Sequence, residues 1–177
     1  MVKKILIGLA VAAAALAAII SMQPAGYSIA RSATMGAPPA KVFALVNNIR
    51  RYNDWSPWAR MDPSQAVTFE GPESGVGATQ KWQGKKTGTG RMTCVSSEPD
   101  RRIVYRLEVR NPMASTADMA FEFQPEAIGT RVTWSISGRK NFISKAFSLV
   151  MNMDTMMGGH FERGLESMKA IVEHRSR

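Results

Sequence analysis

The middle of the chain alternates between apolar and polar residues over six successive stretches. In one of them, Ile103, Tyr105 and Leu107 alternate with Arg106 and Glu108. A period of two indicates strands with one buried and one solvated face. Several such strands in succession, separated by turn residues, predict an antiparallel meander.

The C-terminal part of the chain, from Ser144 to Arg175, follows a helical period instead. Its apolar stripe has steps of three, four or seven residues and consists of Phe147, Val150, Met157, Phe161, Leu165, Met168 and Val172. We expect a short segment up to about Met151 and then a long helix. Asp154 is expected either to cap this helix or to face a pocket. The pair Gly158-Gly159 predicts a bend or the close approach of another group.

The residues before the meander predict one strand and two short helices. Tyr27 to Thr34 has the character of a strand, and Ala37-Pro38-Pro39 then opens a helix in which proline occupies the first turn. Asn47-Asn48 ends that helix, and a second helix or turn continues to Asn53. The order of strand, two short helices, six strands and long helix predicts an α+β fold, with a curved antiparallel sheet wrapped around the last helix.

The N-terminal segment has a membrane-like character. Lys3-Lys4 precedes an uncharged run from Ile5 to Met22, which as a helix would be about 27 Å long, close to the thickness of a bilayer's hydrocarbon core. We expect residues 1–23 to be a transmembrane anchor or uncleaved signal, with the lysines cytoplasmic. The domain, residues 24–177, then lies on the periplasmic or extracellular side of the cytoplasmic membrane. A cleaved signal peptide is the alternative, although Ser21-Met22-Gln23-Pro24 is a poor cleavage site.

The length and net charge of the chain limit which classes of molecule it is expected to bind. At 177 residues the chain holds one domain plus an appendage, and its net charge is +9. The basic residues are scattered and no nucleic-acid motif accompanies them, so we expect a solvated basic surface or attraction to anionic lipid headgroups, and no nucleic acid. The single cysteine, Cys94, excludes an intramolecular disulfide and is expected to be buried in a strand.

Three phrases of the sequence carry a resemblance to a known superfamily. The phrases are Ala37 to Phe43 at a helix opening, Asn53 to Trp58 at a tryptophan-proline turn, and Gly164 to Lys169 in the closing helix. Together they resemble the SRPBCC or START/Bet v 1-like superfamily, specifically its polyketide cyclase/dehydrase-type proteins, over about Tyr27 to Val172. The resemblance implies a helix-grip fold with a cavity between sheet and long helix. Members bind lipids, sterols, polyketides or other hydrophobic ligands, and some cyclise polyketides.

The sequence shows no catalytic or cofactor motif. His160 and His174 are separated by about 21 Å of helical rise, so they cannot share a metal, and no nucleophile elbow or phosphate loop is present. We therefore expect no metal and no cofactor. In an enzyme, His160 or Asp154 would be the acid–base group inside the cavity. The acidic residue Asp62 is expected at the surface.

Large apolar side chains on the inner surface are the candidates for a ligand cavity. They are Trp55, Trp58, Trp82, Met92, Tyr105, Met119, Phe121, Trp134, Met157 and Phe161. Such residues line lipid-type pockets, but they also fill ordinary cores. The favoured hypothesis is a membrane-anchored domain that binds a hydrophobic small molecule or lipid. The alternatives are a cyclase/aromatase-like enzyme and a scaffold domain for another envelope protein, with a filled core.

Overall fold

A computed structural model describes residues 2–174 and contains one antiparallel sheet of seven strands. The strands are β1 (Gly26–Met35), β2 (Ala66–Glu70), β3 (Thr79–Gln83), β4 (Thr89–Glu98), β5 (Arg102–Asn111), β6 (Ser115–Glu126) and β7 (Gly129–Arg139). Their order across the sheet is β1-β7-β6-β5-β4-β3-β2. Strands β2 to β7 thus form the expected meander, and β1 pairs with the last of them.

Within residues 2–174, six helices accompany the sheet. They are α1 (Val2–Met22), α2 (Pro39–Asn47), α3 (Tyr52–Trp55), α4 (Pro57–Met61), α5 (Phe142–Phe147) and α6 (Met153–His174), with a 3₁₀ turn at Ile49–Arg51 between α2 and α3. Helix α2 begins at a proline, as its sequence predicts. Helices α2 to α4 connect β1 with β2, the two edge strands of the sheet, and α2 packs on β5, β6 and β7.

Helix α6 packs across the sheet and against helices α2, α3 and α4. Its buried side chains include Phe161, Leu165, Met168 and Val172, none more than 2% exposed. Each large apolar side chain buried in this way contributes about 1.5–3 kcal/mol to folding. The observed architecture confirms the predicted α+β fold, in which a curved antiparallel sheet surrounds a long C-terminal helix.

Two members of the predicted apolar stripe are not part of this interface. Phe147 is 52% exposed and Val150 is 81% exposed. Helix α5 ends at Phe147, and the chain turns before α6 begins at Met153. The two residues therefore do not share a helical face with Phe161, and the prediction that one apolar stripe includes all three is wrong.

The first turns of α6 also differ from the expectation. Asn152 is the residue whose side chain caps the helix, since its Oδ1 accepts a hydrogen bond from the Thr155 N–H at 3.2 Å. Asp154 lies in the first turn and its Oδ2 forms an ion pair with Arg31 at 2.9 Å. The helix continues through Gly158, against which the Arg31 guanidinium is packed, so close approach accounts for that glycine. Arg175, the last residue of the predicted helical stretch, lies outside the described residues.

Helix α1 is the one described helix that is long and apolar enough to cross a membrane, with a mean hydropathy of 2.6 over its best window. Its 21 residues correspond to about 32 Å of helix. A signal sequence has the same properties. The chain joins the sheet soon after α1. The Ala25 carbonyl, just before β1, already accepts a hydrogen bond from the Lys140 N–H at 2.7 Å.

Candidate ligand-binding site

A cavity of about 200 Å³ lies between the sheet and the N-terminal half of α6. Its lining residues come from α3, α4, α6, five strands of the sheet and the loops before β2 and β4: Tyr52, Trp58, Gln65, Gln80, Trp82, Thr87, Met92, Leu107, Val109, Met119, Ile136, Met157 and Phe161. Most of these side chains are large and apolar. The cavity lies between the sheet and the long helix, where the fold resemblance implies one.

Strand register places one wall of the cavity on β3, β4 and β5. Gln80, Met92 and Leu107 are directly opposite one another on these three strands, so their side chains share one face of the sheet. Trp82 is opposite Gly90 in the next row. A Cβ atom at Gly90 would stand 2.6 Å from Cη2 of Trp82. The absence of that side chain lets the indole ring lie across β4.

The structure divides the ten expected cavity residues into two groups. Six line the cavity: Trp58, Trp82, Met92, Met119, Met157 and Phe161. Four do not and belong instead to the solid core beside it, each at most 1% exposed: Trp55, Tyr105, Phe121 and Trp134. Their rings pack edge to face or tilted against one another, with the centroids of Trp55 and Trp134 5.4 Å apart. Aromatic packing therefore fills the part of the interior where these four residues lie.

Tyr105 uses its hydroxyl within the core. It donates a hydrogen bond to the carbonyl of Val46 at 2.8 Å. Val46 is in the last turn of α2, where carbonyls lack partners inside the helix. Burial raises the pKa of Tyr105, so the phenol stays neutral and acts as a donor. Tyr105 therefore joins α2 to the sheet and offers no polar group to a ligand.

The polar group most firmly placed in the cavity wall is the side-chain amide of Gln80, which is 2% exposed. Its Nε2 donates to Oδ1 of Asn53 at 3.3 Å. Its Oε1 has no hydrogen-bond partner among the described residues. In the sequence, Gln80 can be recognised as a buried polar residue because it alternates with Ala78 and Trp82 on the inward face of a strand. A buried acceptor without a partner is suited to a ligand that donates a hydrogen bond.

Asp62 holds the rim of the cavity. Its Oδ2 accepts hydrogen bonds from the N–H groups of Lys86 at 2.7 Å and Thr87 at 3.2 Å, and its Oδ1 accepts one from the Ser64 hydroxyl. The backbone hydrogen bond from Lys86 contributes most to lowering the pKa of Asp62 to about 2. Thr87 lines the cavity, and its carbonyl accepts a hydrogen bond from the Trp82 indole at 3.2 Å. Asp62 is only 2% exposed, so the expectation of a surface residue is wrong.

The two candidate acid–base residues lie outside the cavity wall. The ring of His160 stacks on Trp58 at 5.6 Å, and its Nδ1 is 2.9 Å from Nη2 of Arg163. Burial, together with the charge of Arg163, lowers the pKa of His160. Asp154 is occupied by the ion pair with Arg31 on the outer side of α6. Neither residue is positioned to exchange a proton with a molecule in the cavity.

Cys94 and the other metal-binding residue types form no metal site in the described part of the chain. Cys94 is 1% exposed, and its Sγ lies 3.4 Å from the Ser96 carbonyl oxygen. Burial raises the pKa of this thiol to about 11. Within residues 2–174, no three His, Cys, Asp or Glu side chains are grouped so as to hold a metal ion.

Solved structures share this architecture at low sequence identity. A protein from Chromobacterium violaceum superposes with a TM-score of 0.61 and 14% identity, over 82% of this chain and 96% of the other. The di-domain ARO/CYC StfQ of the steffimycin biosynthetic pathway gives a TM-score of 0.62 and 12% identity, over 86% of this chain and 52% of the larger protein. The Aha1 dimer from Colwellia psychrerythraea gives 0.59 and 15%, over 83% and 96%. These likenesses show the fold.

Comparison with known sequences identifies a family for this chain but no individual relative. A search of curated protein sequences finds no match. Residues 27–173, by contrast, match the profile of a family described as polyketide cyclase/dehydrase and lipid transport. The matched region contains the whole sheet except its first residue, and nearly all of α6. The chain belongs to the polyketide cyclase/dehydrase and lipid transport family.

Proposed function

We propose that this chain is a membrane-anchored domain that binds a hydrophobic small molecule or one end of a lipid in the cavity between the sheet and α6. The observation that carries the proposal is the cavity itself, about 200 Å³ of space within a wall of large apolar side chains. Pockets that are mostly apolar and contain a few placed polar groups are the usual sites for such ligands.

The volume of the cavity limits the size of the ligand. Pockets for drug-sized molecules measure about 300–1,000 Å³, whereas an apolar cavity of about 150 Å³ holds benzene. At about 200 Å³, this cavity suits a molecule of one or two rings, or the end of an acyl chain. A complete two-chain lipid would have to leave most of its mass outside.

The wall also indicates the polarity of the ligand. The free Oε1 of Gln80 is an acceptor, and no charged side chain lines the cavity in the described part of the chain. A buried acceptor that stays unpaired costs about 1–3 kcal/mol. The best ligand is therefore uncharged, largely apolar, and carries one hydroxyl or N–H group near Gln80.

The chemistry of the wall supports binding more than catalysis. Tyr52 is the one titratable residue that lines the cavity in the described part of the chain. Burial raises its pKa to about 12, far from the range in which a general base works at neutral pH. The cyclase-like alternative has no further acid–base group there. The scaffold alternative requires a filled interior, and the cavity argues against it.

Methyl NMR of the full-length protein tests binding directly. Three of the twelve methionines line the cavity, namely Met92, Met119 and Met157. The protein is kept in detergent micelles, and 2-naphthol is added as the probe. The methyl signals of these three residues should shift and most others should stay in place, even if some of the probe also enters the micelles. Absence of such shifts would refute the proposal.

A matched pair of variants shows whether 2-naphthol binds inside the cavity. Leu107→Trp fills the cavity from β5, whereas Val104→Trp adds the same ring on the opposite face of the same strand. We expect the first variant to lose the methionine shifts and the second to keep them. Shifts that survive in Leu107→Trp would place the probe elsewhere.

Anchoring by α1 has its own test. In membranes from expressing cells, the full chain should resist extraction by alkaline carbonate, and the domain should be digested by protease from the side opposite Lys3 and Lys4. A chain released by carbonate would refute the anchor without affecting the cavity.

A further inference from the structure

The segment from residue 142 to residue 151, here called the α5 segment, exposes an unusual amount of apolar surface. Six of its ten side chains are large, apolar and 44–81% exposed: Phe142, Ile143, Phe147, Leu149, Val150 and Met151. Single exposed apolar residues are common on soluble domains, but a concentrated set marks an interaction surface.

The α5 segment lies next to the end of α1. Lys145 donates a hydrogen bond from Nζ to the Ser21 carbonyl at 2.9 Å, and Lys140 donates from its N–H to the Ala25 carbonyl at 2.7 Å. Three residues separate α1 from β1, a connection that reaches about 10–14 Å when extended. The interfacial layer of a bilayer is about 5–8 Å thick on each side. If α1 spans the membrane, the α5 segment must stay at or near this layer.

The charge of the region suits a bilayer surface. The sequence has no acidic residue between Glu126 and Asp154, while Arg139, Lys140 and Lys145 flank or belong to the α5 segment. Basic residues beside a membrane are attracted to anionic headgroups. Helices with exposed apolar side chains and basic neighbours lie in the interface, with the apolar face among the upper acyl chains.

We propose that the α5 segment is a second membrane contact, in which its apolar side chains enter the interface and its basic neighbours bind anionic headgroups. The occupant of this surface is thus the bilayer that α1 crosses. The inference rests on the proposed anchoring and is independent of any ligand in the cavity. Its consequence is a fixed orientation, because contacts at α1 and at the α5 segment prevent the domain from rotating freely above the membrane.

Spin labelling of the full chain tests this contact. A nitroxide is attached at Val150→Cys, and a control label at Ile128→Cys, an apolar side chain that is 82% exposed in the turn between β6 and β7. Wild-type protein, whose Cys94 is buried, measures background labelling. The proteins are reconstituted into vesicles of phosphatidylcholine and phosphatidylglycerol. Collision rates with oxygen, which concentrates in bilayers, and with a water-soluble nickel chelate are then compared.

We expect the ratio of oxygen to nickel collisions to be several-fold higher at Val150→Cys than at Ile128→Cys. Equal ratios in vesicles that retain the protein would overturn the α5 contact and leave the anchor intact. A label shielded from both reagents, with spin–spin broadening, would indicate a second copy of the chain on this surface and would also overturn the proposal. Protein that fails to float with the vesicles would refute anchoring and the α5 contact together, while the methionine NMR test would still decide the cavity.

Discussion

Gly164 of α6 lies against the indole ring of Trp134, in a position where a side chain has no room. A Cβ atom there would overlap Cζ3 of the ring and stand 3.4 Å from Cδ of Pro57. Trp134 is completely buried and also stacks on Phe161, with ring centroids 4.5 Å apart. The glycine therefore sets how closely α6 approaches the sheet beside the cavity.

Replacing this glycine should destabilise the protein even though alanine favours helix. Gly164→Ala adds a methyl group against rigid, buried neighbours, and such overpacking costs about 1–3 kcal/mol. That cost opposes a gain in helix propensity of about 1 kcal/mol. We expect a lower midpoint of urea unfolding for the full chain in mild detergent.

Gly159→Ala is the matched control in the same helix. Its Cβ would meet only Nη1 of Arg163, at 3.7 Å, so the propensity gain of up to about 1 kcal/mol should appear as a higher midpoint. If both variants are stabilised equally, the close packing of Gly164 on Trp134 is not a constraint in solution.

Tyr105→Phe should reduce stability without weakening ligand binding. The change removes the hydrogen bond to the Val46 carbonyl and leaves that acceptor without its partner in the core, at a cost of about 1–3 kcal/mol. Urea unfolding measures the first effect, and the methionine shifts with 2-naphthol measure the second. Loss of binding in a variant that remains folded would mean that Tyr105 contacts the ligand.

Acid should loosen the rim of the cavity through Asp62. Since hydrogen bonds, chiefly from Lys86, lower the pKa of Asp62 from 3.8 to about 2, its stabilising contribution is complete above about pH 4 and is lost as the pH falls towards 2. We expect the unfolding free energy of wild type to decline across this window more steeply than that of Asp62→Asn, which cannot titrate at this position. Parallel pH profiles for the two proteins would contradict this role.

Gln80 should determine the preference for ligands that donate a hydrogen bond. Wild type should bind 2-naphthol about five- to tenfold more tightly than naphthalene, since one hydrogen bond contributes about 1 kcal/mol. Gln80→Leu should abolish the difference by removing the acceptor. Titrations followed by the methionine methyl signals provide both affinities.

Gln83→Leu is the control for this change, because it lies on the same strand with its side chain exposed. It should keep the wild-type preference. Equal binding of both probes to wild type would refute the role of Gln80 while leaving the cavity as a binding site.

The sequence alone determined the seven strands, the long helices and their order, since these follow from local periodicity. Between β1 and β2 it predicted two short helices, where the structure has three, α2 to α4. Ile103, Tyr105 and Leu107 alternate with polar residues because a half-buried strand requires it, and they lie on β5 as predicted. The same reasoning found α1 and α6. It also identified six side chains that line the cavity, because an apolar residue on an inward face lies either in the core or in the wall of a cavity.

Only the tertiary structure decided which inward residues surround space and which fill it. Trp134 and Trp82 have the same strand pattern, yet Trp134 packs against Phe161 and Gly164 of α6, while Trp82 lies over Gly90 at the cavity wall. Whether each tryptophan fills the core or borders the cavity depends on contacts between residues far apart in the chain. The local periodicity of the sequence carries no information about such contacts. The exposure of Val150 has the same origin, because a turn before α6 removed it from the helical face that its spacing implied.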